Sequence, residues 1–174
     1  DVLDARVLEV LATLPREDFV QHIHLTLAYA DVEIPLGHGQ KMMKPVIEGR
    51  TLQALLLQPG EEVLEIGTGS GYLAACMGAL ARDVLSLEIN PDLASLARTQ
   101  LDASGHGSNV RVETADALHY ATERRFDAIC EAFQRATDKH GRAAVWPYHS
   151  GGTMGLVQRY GMDGAGQPNN AWGV

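Results

Sequence analysis

Apolar and polar positions alternate between a strand period and a helical period from residue 62 to residue 130. Short apolar runs predict strands over residues 62–66, 84–89, 110–113 and 126–130. The segments between them predict helices over about residues 70–81 and 91–103 and a short helix over about 117–122. Strands that alternate with helices are typical of a parallel sheet with helices on both faces, so we expect an α/β fold.

The first 60 residues predict two helices separated by a stretch rich in loops. An amphipathic helix over residues 3–14 is expected, because its apolar side chains share one face; these are Leu3, Val7, Val10, Leu11 and Leu14. Residues 24–45 predict loops, and a second helix is expected over about residues 46–57, after Pro45. In the later helix over 91–103, Asn90 is the expected N-cap and Gly105 the expected stop.

The regular pattern ends near Cys130. A helix is predicted over about residues 131–144, whereas the glycine-rich sequence from Gly151 onward predicts loop or disorder. We therefore divide the chain into a core of residues 1–130, which includes the N-terminal helical segment, and a tail of residues 131–174.

Composition narrows the classes of partner. With 174 residues and 45% hydrophobic content, the chain is long enough for one domain with a core. A formal net charge of −8, without a stripe of basic residues, argues against nucleic acid as a partner. No apolar run is long enough to span a membrane, and the first residues lack the features of a secretion signal, so we expect a cytoplasmic protein without a membrane partner. Cys76 and Cys130 are expected to be buried and free.

The segment "VLEIGTGSGYLAA", residues 63–75, predicts a ligand site. A strand that ends in glycines and leads into a helix presents backbone N–H groups and a positive helix end to a ligand. The spacing is G-x-G-x-G, with Tyr72 where the dinucleotide fingerprint has its third glycine, which disfavours NAD. Glu88, at the end of the next predicted strand, is placed to accept hydrogen bonds from ribose hydroxyls.

Four ordered motifs extend this interpretation. "LEIGTGSGY", "SLEIN" and "ETADALHY" resemble the signature motifs of class I S-adenosylmethionine (SAM) dependent methyltransferases. With "PLGHGQ" and the helix after it, residues 5–130 resemble the protein-L-isoaspartate O-methyltransferase family, whose activity is protein repair. Because complete class I enzymes continue through three further strands, the resemblance implies a truncated Rossmann-like methyltransferase sheet with an irregular C-terminal tail.

The resemblance assigns SAM as cofactor and names its ligands. It implies that the methionine part lies against the glycine turn, near Glu65, that Glu88 holds the ribose, and that Asp116 and Ala117 contact the adenine. The turn residues concerned are Gly67, Gly69, Ser70 and Gly71. The residues alone leave other interpretations open: the glycines could serve tight packing, Glu88 could be an exposed strand end, and Asp116 could cap the short helix.

The same resemblance implies a protein or peptide substrate that contains isoaspartyl residues. Its carboxylate is ionised at neutral pH, so no general base is needed, and the enzyme has to orient the acceptor. The family performs this task with the segment that matches residues 37–45, "GHGQKMMKP", typically GHGQTISQP. Gln40 matches, whereas Met43 stands where the family usually has serine; these two are the candidate catalytic residues. Lys41 or Lys44 could attract an anionic substrate, or both could simply be solvated.

The tail has a different resemblance. Residues 144–163, "AVWPYHSGGTMGLVQRYGMD", resemble a short piece of a molybdopterin-dependent oxidoreductase, which implies a chimeric chain and no redox activity. A sheet that stops at the strand over 126–130 would expose unpaired backbone groups and an apolar edge. We expect the tail or a second copy of the chain to cover this edge, the latter giving an oligomer.

Three alternatives remain open at this point. His22 and His24 have a spacing that can serve a metal, but no third ligand is identifiable, so no metal site is expected. The chain could bind SAM without useful catalysis, because it is truncated or chimeric. A nucleotide-binding oxidoreductase is a further alternative that the glycine spacing disfavours.

Overall fold

The computed structural model describes residues 1–131 and 147–149, with the backbone alone at residues 131 and 147–149. The N-terminal part contains two helices and a hairpin: α1 (Ala5–Thr13), β1 (Ile34–Gly37), β2 (Gln40–Met42) and α2 (Pro45–Leu55). Two 3-10 helices, Arg16–Phe19 and His22–Leu27, connect α1 to the hairpin.

The hairpin is the main departure from the expected loops of residues 24–45. β1 and β2 pair antiparallel, and the side chains of β1 alternate between buried and exposed. Strands of three and four residues are too short to show a period in the sequence. The turn between them has positive φ at Gly37, His38 and Gly39, so the chain reverses within three residues.

Both N-terminal helices are shorter than their apolar patterns predict. Asp4 caps α1 by accepting hydrogen bonds from the N–H groups of Arg6 and Val7, at 2.9 and 3.3 Å. The helix therefore starts at Ala5, and Leu3, which the apolar pattern placed inside the helix, precedes it and is 79% exposed. At the end of α2, Leu56 adopts a left-handed conformation with φ of 52° and stops the helix.

Within residues 1–131 and 147–149, the central sheet has five strands in the order β5-β4-β3-β6-β7. They are β3 (Glu62–Ile66), β4 (Asp83–Glu88), β5 (Val110–Thr114), β6 (Ala128–Glu131) and β7 (Pro147–His149). β3, β4, β5 and β6 are parallel, which confirms the predicted α/β fold with a parallel sheet. The expected short helix after β5 is a single 3-10 turn, Ala117–His119, capped by Asp116.

Helices α3 (Tyr72–Leu80) and α4 (Pro91–Ser104) connect β3 to β4 and β4 to β5. Asn90 caps α4, and Gly105 ends it in a left-handed conformation, as predicted. Both connections step in the same direction across the sheet, so right-handed crossovers place α3 and α4 on one face. Within the described residues, α3 and α4 cover that face of the central sheet, as expected. That helices also cover the other face stays a prediction.

The strand order indicates where a ligand crevice is expected. The chain moves outward from β3 through β4 to β5 and then returns to β6 on the other side of β3. In open parallel sheets, ligands bind outside the carboxyl ends of the strands at such a reversal. The ends of β3, β4 and β5 carry Glu65, Glu88 and the loop to Asp116, so the predicted site lies at this edge.

β7 pairs antiparallel with β6, with Ala128, Ile129 and Cys130 opposite His149, Tyr148 and Pro147. A piece of the tail thus lies along the edge of β6, which is one of the two covers expected from the sequence. Self-association, the other cover, stays a prediction, and so do the division at residue 131 and the chimeric origin. The predicted helix over 131–144 and the glycine-rich segment from residue 151 lie outside the described residues.

The buried core lies between the sheet and the helices. Among the described residues, Cys76 and Cys130 are both buried and neither forms a disulfide, as expected. Across the described part of the chain, no helix combines the length and the apolar character that crossing a membrane requires.

Gly71 is a close-packing point between α3 and α4. It has a φ of 86°, and a Cβ there would lie 3.3 Å from the Cβ of Ala97 and 3.4 Å from the Cδ1 of Leu101. At Gly71, therefore, the alternative interpretation from the sequence applies: the glycine permits close packing of two helices. A side chain here would combine backbone strain with a crowded contact.

We expect Gly71→Ala to lower the free energy of unfolding by about 2–3 kcal/mol, measured by urea denaturation. Gly105→Ala is the matched control, because Gly105 has a φ of 74° but an added Cβ would meet nothing within 4 Å. The control should lose only about 1 kcal/mol, from backbone strain. Equal losses in the two variants would contradict the packing role of Gly71.

Candidate functional site

A cavity of about 710 Å³ lies at the carboxyl edge of the sheet. Its walls come from the hairpin, the start of α2, the glycine turn after β3, the end of β4 and the loop after β5. The cavity brings together these predicted site residues: Gln40, Met43, Glu65, Gly67, Gly69, Ser70, Glu88, Asp116 and Ala117. Gly71 does not line it, and its contacts are with α4.

The glycine turn has its shape because three alternate residues are left-handed. Gly67, Gly69 and Gly71 have φ of 93°, 56° and 86°. Such alternation turns successive N–H groups toward one side, which forms a concave surface suited to an anionic or polar group. One of these groups, the Gly69 N–H, donates to Glu88 at 3.0 Å.

Glu65 is a fully buried carboxyl group in the cavity wall. The Ser86 hydroxyl donates to its Oε2, and Ser86 Oγ lies 2.5 Å from the Thr68 hydroxyl. Its Oε1 has no hydrogen-bond partner among the described residues. Burial raises the pKa of Glu65 to about 8, against the opposing Ser86 hydrogen bond. An unsatisfied buried acceptor beside a cavity suits a ligand that brings a cation or an N–H donor.

Glu88 is buried at the end of β4, not an exposed strand end. Its Oε2 accepts from the Gly69 N–H and its Oε1 accepts from the Asn90 N–H, both at 3.0 Å. These bonds hold the side chain in the wall. Each oxygen retains a second lone pair that can accept from a ligand hydroxyl.

Asp116 both caps a turn and lines the cavity. It accepts from the Leu118 N–H at 3.0 Å, and its Oδ2 lies 2.6 Å from Nδ1 of His119. The His119 hydrogen bond, followed by the Leu118 N–H, lowers the pKa of Asp116. The capping interpretation and the position in the cavity therefore hold together.

Two exposed apolar residues complete this end of the cavity and were not predicted. Ile89 is 69% exposed and Leu118 is 87% exposed, and both line the cavity. Each directly follows a predicted ligand, Glu88 and Ala117 respectively. Large apolar side chains exposed beside polar groups mark a place for a flat apolar ligand surface. The signal available in the sequence was a large apolar residue directly after each of these two predicted ligands.

The hairpin forms the opposite wall. Gln40 and Met43 are half-buried and line the cavity. Lys41 also lines it, but its ammonium group lies 2.9 Å from the Glu33 carboxylate, which offsets its charge. At the hairpin tip, Nε2 of His38 lies 3.3 Å from the Asp92 carboxylate at the start of α4.

Arg16 and Glu48 form a buried ion pair beside this wall, and neither was predicted from the sequence. Arg16 Nε donates to Glu48 Oε2 at 2.9 Å, and both side chains are 2% exposed. Glu48 lines the cavity. No periodic signal joins residues 32 positions apart, so the pair is visible only in three dimensions.

The two histidines considered for a metal lie in the 3-10 helix His22–Leu27, not in an extended segment. Over residues 1–131 and 147–149, no three His, Cys, Asp or Glu side chains are grouped so that they could hold a metal ion.

Comparison with known sequences connects this geometry to one family. A family model described as protein-L-isoaspartate(D-aspartate) O-methyltransferase matches residues 2–156, which extends past the predicted division at residue 131. The protein-L-isoaspartate O-methyltransferase of Koribacter versatilis is 42% identical over 132 residues, which is 75% of this chain and 59% of the relative. The enzyme of that name from Myxococcus xanthus is 45% identical over 132 residues, 75% of this chain and 62% of the relative. The chain thus spans about three fifths of the length of these relatives.

Solved structures share the fold. A Plasmodium falciparum protein named as a protein-L-isoaspartate O-methyltransferase, in complex with S-adenosyl-L-homocysteine, superposes with a TM-score of 0.64. It is 22% identical and covers 74% of this chain and 66% of its own, so the likeness concerns the fold. A second protein-L-isoaspartate O-methyltransferase has a TM-score of 0.66 and 25% identity, over 75% of this chain and 43% of its own.

The buried Glu65 predicts a dependence of stability on pH. Between its ordinary pKa of 4.5 and its folded pKa of about 8, the folded state keeps a proton that the unfolded state has released. The contribution of Glu65 to the free energy of unfolding is therefore fully present below about pH 4.5 and decreases as the pH rises toward 8. We expect the unfolding free energy of wild type minus that of Glu65→Gln to fall between pH 5 and pH 8, measured by urea denaturation.

Glu62→Gln is the control, on the same strand. Hydrogen bonds from Arg124, and then from Arg82, lower the pKa of Glu62, so its contribution is lost only on acidification below its ordinary range. The difference between wild type and this variant should stay level from pH 6 to pH 8. A level difference for Glu65→Gln over the same range would show that Glu65 is ionised in the folded protein.

Proposed function

Because the chain belongs to the protein-L-isoaspartate(D-aspartate) O-methyltransferase family, we propose that it is a SAM-dependent methyltransferase acting on isoaspartyl carboxylates of proteins or peptides. One observation carries the proposal. Polar groups from the ends of three parallel strands converge on one cavity, opposite the hairpin that resembles the acceptor segment of the family.

The residues present suit SAM. A cavity of about 710 Å³ lies within the range of about 300–1,000 Å³ typical of small-molecule sites. Glu65 Oε1, which lacks a partner among the described residues, would accept from the ammonium group of the methionine part. The cationic ligand would in turn favour the ionised form of this carboxyl group, because an opposite charge lowers the pKa of an acid.

The nucleoside would lie toward β4 and β5. Glu88 would accept from the ribose hydroxyls with its remaining lone pairs. The Asp116 carboxylate and the Ala117 N–H would contact the adenine edge, with Ile89 and Leu118 providing its apolar surroundings. Ser70 and the glycine turn would lie beside the methionine part.

The cofactor supplies a methyl group already activated by its sulfonium. The acceptor carboxylate is ionised at neutral pH, so no residue has to remove a proton from it. What remains for this chain is to orient the carboxylate and to exclude water. Gln40 suits this task, because its side-chain amide can donate to a carboxylate oxygen from the cavity wall.

Met43 differs from the family, which usually has serine at this position, and the difference bears on the proposed reaction. It is half-buried in the cavity wall and supplies no hydroxyl donor. The chain could therefore bind SAM and transfer the methyl group slowly, which is the catalytically impaired alternative. The oxidoreductase alternative gains nothing from the structure, and family membership favours methyl transfer. The cytoplasmic location and the absence of nucleic-acid and membrane partners stay predictions.

The direct test measures binding and turnover separately. We expect calorimetry to detect binding of SAM and of S-adenosylhomocysteine. We also expect the labelled methyl group of SAM to be transferred to an isoaspartyl peptide but not to the same peptide with aspartate in place of isoaspartate. Binding without methylation would establish the impaired alternative. Binding of NAD in place of SAM would contradict the proposal.

Glu88→Ala should weaken SAM binding at least about tenfold, because hydrogen bonds to a charged group contribute about 1.5–3 kcal/mol. Glu113→Ala is the control, because this carboxylate belongs to β5, pairs with Arg111 and does not line the cavity. Calorimetric titration gives both affinities. Unchanged affinity in Glu88→Ala would remove Glu88 from the proposed site.

Met43→Ser should raise kcat for the isoaspartyl peptide about tenfold, since a hydroxyl can donate a hydrogen bond to the acceptor carboxylate. Met43→Ala is the matched control, because it shortens the side chain to a similar extent without adding a donor. Radiometric assays under saturating SAM provide the comparison. If alanine raised kcat as much as serine, the gain would come from space and not from a hydrogen bond.

A further inference from the structure

Arg16 connects several segments around the acceptor wall of the cavity. Its Nε and Nη2 donate to the two Glu48 carboxylate oxygens, at 2.9 and 3.3 Å. Nη2 also donates to the Met43 carbonyl at 2.6 Å, and Nη1 donates to the Ala28 carbonyl. One guanidinium group thus joins the first 3-10 helix, the segment before β1, the turn after β2, and α2.

The pair is almost completely removed from water, since both side chains are 2% exposed. The Arg16 guanidinium also lies over the Tyr72 ring, with Cζ 5.5 Å from the ring centroid. Burial raises the pKa of Glu48 to about 7, and Arg16 opposes this by favouring the charged form. These contacts need a planar group with several donors in fixed directions, which lysine cannot supply.

Arg16 does not line the cavity, but two of its partners do. Met43 and Glu48 lie in the wall, on either side of the point where β2 leads into α2. The hydrogen bond to the Met43 carbonyl fixes the backbone at this point, next to the acceptor segment that carries Gln40. Arg16 can therefore act on the site only through other residues.

We propose that Arg16 is a positioning residue for the methyl acceptor, because it holds the Met43 backbone and the Glu48 side chain in the acceptor wall. The inference rests on the proposed function. The cofactor wall, formed by the glycine turn, Glu65 and Glu88, has its own hydrogen bonds, from the Gly69 N–H to Glu88 and from the Ser86 hydroxyl to Glu65. Loss of Arg16 should accordingly change methyl transfer and leave cofactor binding in place.

The test is Arg16→Lys, which keeps the positive charge and removes the planar guanidinium group with its several donors. We expect kcat for an isoaspartyl peptide to fall about 10- to 100-fold, as small displacements of reacting groups do, while the Kd for S-adenosylhomocysteine changes less than about twofold. Arg124→Lys is the matched control: Arg124 pairs with Glu62 and Asp83 at the opposite end of the sheet. Its kcat should stay within about twofold of wild type, even if its melting temperature falls as far as that of Arg16→Lys.

Glu48→Gln provides a second variant if Arg16→Lys does not fold. It keeps the shape of the side chain and replaces one oxygen facing Arg16 with a donor, so the same loss of kcat with the same retained affinity is expected. A variant with wild-type kcat, or one that loses peptide turnover and S-adenosylhomocysteine binding together, would overturn the positioning role.

Failure of the proposed function would look different. If the wild-type chain itself methylates no isoaspartyl peptide, the proposed function fails, and the role of Arg16 fails with it. If the wild type methylates the isoaspartyl peptide and Arg16→Lys does so with the same kcat, only the positioning role is overturned.

Discussion

The hydrogen bond from the Gly69 N–H to the Glu88 carboxylate holds the candidate site together. It joins the turn after β3 to the end of β4, so two walls of the cavity have a fixed spacing. The turn can reach Glu88 only because its glycines adopt left-handed conformations. The start of α3 follows from the same turn, since Gly71 is the residue before its first helical position. Parallel pairing in register then aligns the end of β5 with these groups.

Burial of acidic side chains is the second constraint on this region. Glu65 and Glu48 both lie in the cavity wall and are at most 2% exposed, in a chain whose formal net charge is −8. The two carboxyl groups solve the desolvation problem differently. Burial raises the pKa of both groups, to about 7 for Glu48 and about 8 for Glu65, but Glu48 faces the Arg16 guanidinium whereas Glu65 has only the Ser86 hydroxyl as its hydrogen-bond partner among the described residues. A carboxyl group that lacks a cation of its own is the one best suited to receive a cation from a ligand.

Local pattern predicted most of the sheet and the proposed cofactor side of the candidate site. β3, the glycine turn and Glu88 lie where strand period and turn chemistry place them, because each depends on residues close in sequence. The hairpin was missed because its strands have three and four residues, too few to show a period. Leu3 was misplaced because the cap at Asp4 starts α1 later than the apolar pattern does. Arg16 and Glu48 were missed because their pairing depends on how separate segments pack.

The same difference separates the two walls of the cavity. The proposed cofactor wall is built on neighbouring parallel strands, whose register fixes Glu65 opposite Ser86. The proposed acceptor wall is built on a two-stranded hairpin that, within the described part of the chain, shares no strand pairing with the central sheet. A two-stranded hairpin is marginally stable alone, so its position has to come from contacts made elsewhere. Arg16 supplies such a contact from its buried position, and Met43, the residue that differs from the family, lies at the carbonyl that Arg16 holds. Changes in the proposed acceptor wall can therefore alter the proposed reaction while the proposed cofactor wall remains as it is.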